Sequence, residues 1–213
     1  MYNPAHFRED RPEELHAFIR AHPFGTLVTS GPDGPEASHL PVFLDVNTGD
    51  AGRVRCHMAR SNPQWRQLAS GGRVLMIFTG ASHYITPNWY PEKRKHGKVV
   101  PTWNYVAVHI SGSATVFEDS PSLLRHLHEL TNFNEASVEE RWSVADAPPE
   151  YIEGMARAIV GVEIVVDRVE GKWKLNQNRS AEDQQGVIAG LDGLGSHASR
   201  EMADLMRNRT SGH

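Results

Sequence analysis

Residues 25–46 of the chain read GTLVTSGPDGPEASHLPVFLDV, and this stretch decides the fold. Its pattern predicts a strand over residues 25–29, a reversal over residues 31–35 and a second strand over residues 36–46. The reversal is rich in glycine and proline, which are the residues that tight turns prefer. The stretch therefore predicts an antiparallel β-hairpin.

Alternation of apolar and polar side chains continues beyond this hairpin. A turn over residues 47–52 is followed by predicted strands over residues 53–58, 73–80, 103–118, 162–169 and 172–177. The last two strands are expected to form a second hairpin around Glu170 and Gly171. Seven or so strands in meander order predict a closed or nearly closed antiparallel barrel.

Helices are expected to decorate this barrel. Helical spacing, early prolines and capping residues such as Asn62 and Ser196 predict helices over residues 12–21, 62–68, 121–133, 149–160, 181–189 and 196–207. The last six residues are expected to fray. The fold class is therefore mainly β with α decorations (α+β). Because no linker separates differently composed halves, we predict one domain over residues 1–191 and a C-terminal helical extension over residues 192–213.

Composition excludes several functional classes. The 213 residues contain 22 Lys plus Arg against 26 Asp plus Glu, so no overall positive field draws the chain to nucleic acid or to an anionic membrane. No apolar run approaches the roughly 20 residues of a membrane span, and the N-terminus lacks the apolar core of a signal peptide. The single cysteine, Cys56, excludes an intrachain disulfide and is expected to be a buried small hydrophobe. The expected location is the cytoplasm.

Residues 83–105 form a segment in which Trp, Tyr, Lys, Arg and His are crowded between two predicted strands. Planar rings stack on flat ligands and cations bind phosphates, so this composition suits an aromatic phosphorylated cofactor. The alternative is a surface loop with a few anchoring aromatic side chains. Nearby, Arg60 precedes a helix start at Asn62, which predicts either a phosphate site or an ordinary strand-to-helix connection.

Other chemistries find little support. The twelve histidines include no pair with the short local spacing of a zinc site and no HExxH motif, so no metal is predicted, although His39 and His57 could approach each other across strands. GxSxG, Rossmann and P-loop patterns are also missing. The hypothesis that remains is a flat phosphorylated cofactor bound on a barrel.

Seven blocks of sequence closely resemble the PaiB-type family of FMN-binding negative transcriptional regulators. The blocks are MYNPAHF (1–7), PFGTL (23–27), SHLP (38–41), ARSNPQW (59–65), YITPNWY (84–90), VVPTWNY (99–105) and KWKLNQN (172–178). The resemblance covers the chain from Met1 to about Leu191. It implies a split β-barrel akin to pyridoxamine phosphate oxidase, and a homodimer with FMN between protomers. Thr86 and Asn176 stand where serine is expected in the family, and both keep hydrogen-bonding ability.

With FMN as the implied cofactor, the chemistry of the side chains assigns candidate roles. Arg60, together with Asn62, is the first choice for the phosphate and Lys174 is the second. The candidates for the flavin ring or ribityl chain are His39 and His57. Tyr84, Trp89 and Trp103 are candidates for an aromatic wall, with packing at the barrel end as the alternative. The candidates for polar contacts are Thr102, Asn104, Gln177 and Asn178.

Three functions stay open at this stage. The family implies a regulator that represses genes, and related split barrels favour an FMN-dependent oxidoreductase acting on a small molecule as the alternative. Haem binding or breakdown ranks third. No basic helix-turn-helix is present, so DNA contact would have to come from residues 93–98, which can equally close over a ligand, face a partner or be solvated. The sequence designates neither a catalytic residue nor a substrate.

Overall fold

The computed structural model describes residues 1–32, 34–48 and 51–210. Within them lie seven strands: β1 Arg8–Glu9, β2 Phe24–Gly31, β3 Gly34–Asp45, β4 Arg53–Ala59, β5 Gly72–Ile85, β6 Thr102–Phe117 and β7 Ile159–Lys174. The α-helices of the same residues are α1 Pro12–Ala21, α2 Glu92–His96, α3 Ser120–Glu135, α4 Pro149–Arg157, α5 Ala181–Leu194 and α6 His197–Thr210. None of these helices is long and apolar enough to cross a membrane.

The strands form one sheet in the order β1-β7-β4-β3-β2-β5-β6, and an additional pairing of β7 with β6 closes six of them into a ring. Neighbouring strands pair antiparallel, with Leu27 of β2 opposite Ser38 of β3 and Cys56 of β4 opposite Val162 of β7. The predicted antiparallel barrel with peripheral and C-terminal helices is therefore confirmed.

Alternation along each strand builds the core. The inward positions of β3 and β4 are occupied by Leu40, Val42, Leu44, Val54, Cys56 and Met58, all of which are buried. Burial raises the pKa of the Cys56 thiol to about 12, so the side chain stays protonated and packs as a small hydrophobe. The expectation of a buried small hydrophobe is confirmed.

The meander order is wrong at one position. Strand β5 pairs with β2, through Thr26 opposite Ile77, while β4 pairs with β7. Spatial neighbours in a ring are decided by closure, and local turn signals do not carry that information.

The predicted hairpin around Glu170 and Gly171 is also wrong. Strand β7 runs without interruption from Ile159 to Lys174, because Gly171 pairs with Glu9 and Lys172 pairs with Arg8 of β1. The helix predicted over residues 149–160 is shorter than expected. Helix α4 ends at Arg157, and residues 159 and 160 belong to β7.

Smaller differences concern element ends. Strand β5 extends to Ile85 and takes in the start of the predicted loop, α2 lies inside that loop, and the helix predicted at residues 62–68 is a 3-10 helix, Pro63–Leu68. Helix α6 continues to Thr210, and residues 211–213 lie outside the described residues, so the fraying expected of the last six residues stays a prediction. Asp33, Gly49 and Asp50 of the predicted turns also lie outside them.

The chain divides into two compact units. We call residues 1–11, 79–108 and 170–210 the terminal unit and residues 12–78 and 109–169 the central unit. The division into residues 1–191 and 192–213 stays a prediction.

In the terminal unit, α5 and α6 pack on each other, and the carboxylate of Glu9 ties the N-terminal segment to α6. This side chain is 3% exposed and accepts hydrogen bonds from Arg11 at 2.7 and 2.8 Å and from Arg209. These hydrogen bonds, with that of Arg11 first, lower the pKa of Glu9 to about 2.

Helix α5 needs glycine where Trp89 packs on it. A Cβ at Gly190 would lie 2.4–2.5 Å from three atoms of the Trp89 ring, whereas a Cβ at Gly193 on the same helix would meet nothing within 4 Å. The close approach of the tryptophan to the helix therefore depends on Gly190.

We expect Gly190→Ala to lower the free energy of unfolding by about 1–3 kcal/mol, because the added methyl group forces Trp89 to move. Gly193→Ala is the matched control and should raise stability by roughly 0.5–1 kcal/mol, because alanine favours a helix over glycine. Urea unfolding curves of both variants measure the two effects. Equal effects of the two substitutions would contradict the packing described here.

Candidate functional site

A lysine and a threonine meet in the terminal unit, where β6 begins and β7 ends. The Nζ of Lys174 donates a hydrogen bond of 2.6 Å to Oγ1 of Thr102. Within the described residues no carboxylate forms an ion pair with Lys174. Burial, which disfavours the ammonium, is the main cause that lowers its pKa; nearby Lys172 lowers it further, while Tyr105 opposes the shift. An anion that approached this ammonium would stabilise its charged form.

Two exposed aromatic rings lie in the same unit. Tyr84 of β5 and Trp103 of β6 contact each other edge to face, with ring centroids 6.2 Å apart, and their side chains are 44% and 55% exposed. Aromatic rings are usually more deeply buried, so this pair offers a surface to a planar ligand. Neighbouring side chains of a strand point to opposite faces, so a ligand contacts both Thr102 and Trp103 only by wrapping around the end of β6.

Trp89 is held by packing. Its ring lies against Gly190, and its carbonyl oxygen would lie 2.2 Å from a Cβ at Gly186. Gly186 and Gly190, which are spaced as GxxxG, thus form the surface of α5 on which this tryptophan packs. Trp89 therefore packs within the protein, as the alternative to a cofactor wall expected. Its role as an aromatic wall for the cofactor stays a prediction.

Three predicted polar residues differ in their surroundings. Asn104 is fully buried, and its Nδ2 lies 3.5 Å from Sδ of Met206. The Gln177 amide is engaged at both ends, because its Nε2 donates to the carbonyl of Trp173 and its Oε1 accepts from the amide of Leu175. Asn178 is exposed.

In the central unit, the Arg60 guanidinium is already surrounded by acceptors. It donates to the carbonyl oxygens of Arg157 at 2.9 Å and Ile159 at 3.0 Å, and it forms an ion pair with Glu118. These bonds fasten the start of β7 to the end of β4. The role of Arg60 in phosphate binding stays a prediction, and a phosphate would have to compete with Glu118.

Asn62 and His39 lie on neighbouring parts of the central unit. The Oδ1 of Asn62 caps the 3-10 helix by accepting from the amide of Gln64 at 3.0 Å, and its Nδ2 donates to Ser38 Oγ at 2.9 Å. The Nδ1 of His39 lies 2.9 Å from Oγ1 of Thr26. Both side chains have local structural partners, so their roles toward a cofactor stay predictions.

His57 contacts another histidine. Its Nδ1 lies 3.1 Å from Nε2 of His126 on α3, and the His126 side chain is fully buried. Burial is the main cause that lowers both pKa values, that of His126 to about 3, with His57 and Arg55 adding to the effect on His126. Both rings are therefore neutral at pH 7. Among the residues that the structure describes, no group of three or more His, Cys, Asp and Glu side chains is placed to hold a metal ion.

Sequence reasoning missed several partners of the predicted residues, namely Thr26, Ser38, Glu118 and His126. Each lies on a different element from the residue that it contacts, so only the strand register or the helix packing brings the pair together. The helical spacing of His126 and His128 did indicate that the two face different directions, which the burial of His126 and the exposure of His128 confirm.

Comparison with known proteins places this barrel in a family. A family model described as "Putative FMN-binding domain" matches residues 1–168. The chain is 33% identical to "Protease synthase and sporulation protein PAI 2" of Bacillus subtilis, over 98% of both chains. It is 36% identical to an uncharacterised protein of Emericella nidulans, over 98% of this chain and 97% of the other.

A solved structure shares the fold. The "FAD and Heme binding protein from Mycobacterium smegmatis" superposes with a TM-score of 0.59 at 15% identity, over 86% of this chain and 80% of the other. The chain is therefore a member of the FMN-binding split-barrel family to which the Bacillus subtilis PAI 2 protein belongs. The PaiB-type resemblance is confirmed, and FMN is the cofactor.

The residues of the terminal unit fit this cofactor chemically. Lys174 and Thr102 are donors suited to a phosphate, and Tyr84 and Trp103 present ring surface suited to an isoalloxazine. Lys174, Gln177 and Asn178 lie beyond the residues matched by the family model.

The histidine pair predicts acid sensitivity. His126 has a folded pKa of about 3 and an ordinary value of 6.5, so the unfolded chain binds more protons between these values. We therefore expect the free energy of unfolding to fall as the pH falls from about 6.5 toward 3, by at most about 1.4 kcal/mol per pH unit for each histidine.

His126→Gln should flatten this slope of stability against pH, and His128→Gln, at the exposed neighbour, should leave it unchanged. Urea unfolding at several pH values measures the slopes; identical slopes in wild type and His126→Gln would refute this origin.

Proposed function

We propose that the terminal unit holds the FMN phosphate through Lys174 and Thr102 and receives the isoalloxazine at Tyr84 and Trp103. The observation that carries this proposal is the Lys174 ammonium, which is partly desolvated and hydrogen-bonded to a neutral hydroxyl. A bound phosphate would supply the negative charge that this site lacks. When bound, FMN supplies the redox chemistry of its ring, while the protein binds and orients it.

A homodimer forms part of the same proposal. Tyr84 and Trp103 expose large apolar surfaces, which a partner protomer could cover together with one face of the flavin. A symmetric dimer would then hold two equivalent cofactors.

The biological role that we propose is negative regulation of gene expression in the FMN-bound form. Its support is the Bacillus subtilis relative, whose name refers to protease synthesis and sporulation and which matches this chain over 98% of its length. DNA contact, where it occurs, is assigned to the exposed residues 93–98. In this segment Lys95 is paired with Glu182, while Arg94 is exposed.

Helix α6 is less suited to that contact. Although it carries several arginines, Arg207 is paired with Asp192 and Asp204, and Arg209 is paired with Glu9. A recognition helix needs its cations to be available to phosphates and bases.

An FMN-dependent oxidoreductase is the second candidate. The open Tyr84 and Trp103 pair favours it, because a ring bound there would have one face accessible to a small substrate. The buried histidine pair lends haem binding no comparable support, since His57 and His126 are engaged with each other.

We expect Lys174→Met to weaken FMN binding by about 1.5–3 kcal/mol, or roughly 10- to 150-fold, because a charge-assisted contact is removed. Lys98→Met, an exposed lysine of the same unit, is the matched control and should change little. Fluorescence titration of the apoprotein with FMN measures both. A loss of affinity in Arg60→Met combined with normal binding by Lys174→Met would move the phosphate site to the central unit.

Regulator and oxidoreductase predict opposite results in two assays. For direct repression, the FMN-loaded protein should bind its own promoter region with salt-dependent affinity, and Arg94→Glu should reduce the salt slope by about 1, while the control Arg20→Glu should not. For the oxidoreductase, anaerobic mixing with reduced nicotinamide cofactors should bleach the flavin. DNA binding without bleaching supports the regulator, and bleaching without DNA binding overturns direct repression.

A further inference from the structure

A cavity of about 440 Å³ lies within the terminal unit, beside α5 and α6. It is lined by His6, Leu175, Gln177, Ala181, Gln184, Met206 and Arg209. Small-molecule sites commonly have volumes of about 300–1,000 Å³ and combine apolar walls with a few polar groups. This cavity has both features, and of its lining residues only Gln177 is among those predicted to contact FMN.

The cationic part of the lining is Arg209. Its guanidinium contacts the carboxylate of Glu9 and the carbonyl oxygen of Arg8. Glu9 also accepts two hydrogen bonds from Arg11, so its single negative charge is divided between two guanidinium groups. Arg209 is therefore only partly neutralised and can accept a further single negative charge.

Gln184 and His6 also belong to the polar part of the lining. Gln184 uses its Nε2 to donate to the carbonyl of Arg179 at 2.9 Å, which orients its amide. His6 contributes a ring that packs edge to face on Phe7, with centroids 4.0 Å apart. One partly neutralised arginine matches a monoanion better than a phosphate dianion, which proteins usually bind with several charged donors.

The apolar walls come from Leu175, Ala181 and Met206. Met206 also contacts the fully buried Asn104, whose Nδ2 has the thioether sulfur as its acceptor at 3.5 Å. Oδ1 of Asn104 has no hydrogen-bond partner within the described residues. Such a buried oxygen is uncommon, and methionine is a side chain that adapts its shape to what it packs against.

We propose that this cavity is a second ligand site, separate from the FMN site, which binds a small monocarboxylate with a short apolar body. The carboxylate contacts Arg209, and the apolar body lies against Leu175, Ala181 and Met206. The site does not depend on the role proposed for the flavin.

The test uses FMN-loaded protein and calorimetric titration with hexanoate, benzoate, hexanamide and inorganic phosphate. We expect saturable binding of a carboxylate without release of FMN, and no binding of the neutral hexanamide. Ala181→Phe should fill the cavity and abolish binding, whereas Ala189→Phe, at an alanine of the same helix outside the cavity lining, should preserve it. Arg209→Gln should weaken binding by roughly 10- to 100-fold, because a charge-assisted contact is lost.

Several results would overturn the proposal. These are a lack of saturable carboxylate binding at millimolar concentration, unchanged binding in Ala181→Phe, tighter binding of phosphate than of the carboxylates, and competitive displacement of FMN. Because Arg209 also contacts Glu9, the thermal unfolding of Arg209→Gln is measured in parallel. Should that variant unfold, the pair Ala181→Phe and Ala189→Phe still decides the outcome.

Discussion

Closure of the ring by β7 is the constraint on which the rest of the structure depends. An unpaired strand edge exposes a row of backbone donors and acceptors, and pairing on both sides removes it. The close approach of β6 and β7 requires two glycines, because a Cβ at Gly112 would lie 2.2 Å from the carbonyl oxygen of Val165. A Cβ at Gly161 would likewise lie 2.2 Å from the Phe117 ring. Larger residues at either position would hold the two strands apart.

The closing strand also brings lysines to the terminal unit. Lys172 is 7% exposed, donates to the carbonyl of Tyr2 at 2.9 Å and lies within 5.5 Å of the Tyr2 and Tyr105 ring centroids. Its charge is thus stabilised within the chain by a carbonyl and by aromatic rings. Lys174, two residues further on, has only the Thr102 hydroxyl as a described hydrogen-bond partner. The contrast between the two lysines distinguishes a structural cation from one suited to bind an anion.

Local patterns predicted the elements of this fold far better than their pairing. Helix α1 was predicted at its observed limits, Pro12–Ala21, because its proline, acidic first turn and apolar spacing all act within one helix. The hairpin at Glu170 and Gly171 failed because the pairing of β1 with β7 is a contact across more than 160 residues. Turn propensity carries no information about such a partner.

For the candidate site too, the sequence predicted which residues matter better than it predicted their contacts. Composition identified the aromatic and cationic residues, and the family resemblance identified FMN, but the surroundings of each side chain came from tertiary contacts. Arg60 has the sequence context of a phosphate ligand, yet its guanidinium is surrounded by Glu118 and two carbonyl groups. The sequence predicts Trp89 as a cofactor wall, yet its ring packs on Gly190 of α5, and Gly186 faces its carbonyl oxygen.

A crystal structure of the FMN-loaded protein tests the central claim most directly. We expect a phosphate oxygen within about 3 Å of the Lys174 Nζ, with the Thr102 hydroxyl as a second donor. A phosphate bound at Arg60, with Lys174 still bonded only to Thr102, would contradict it.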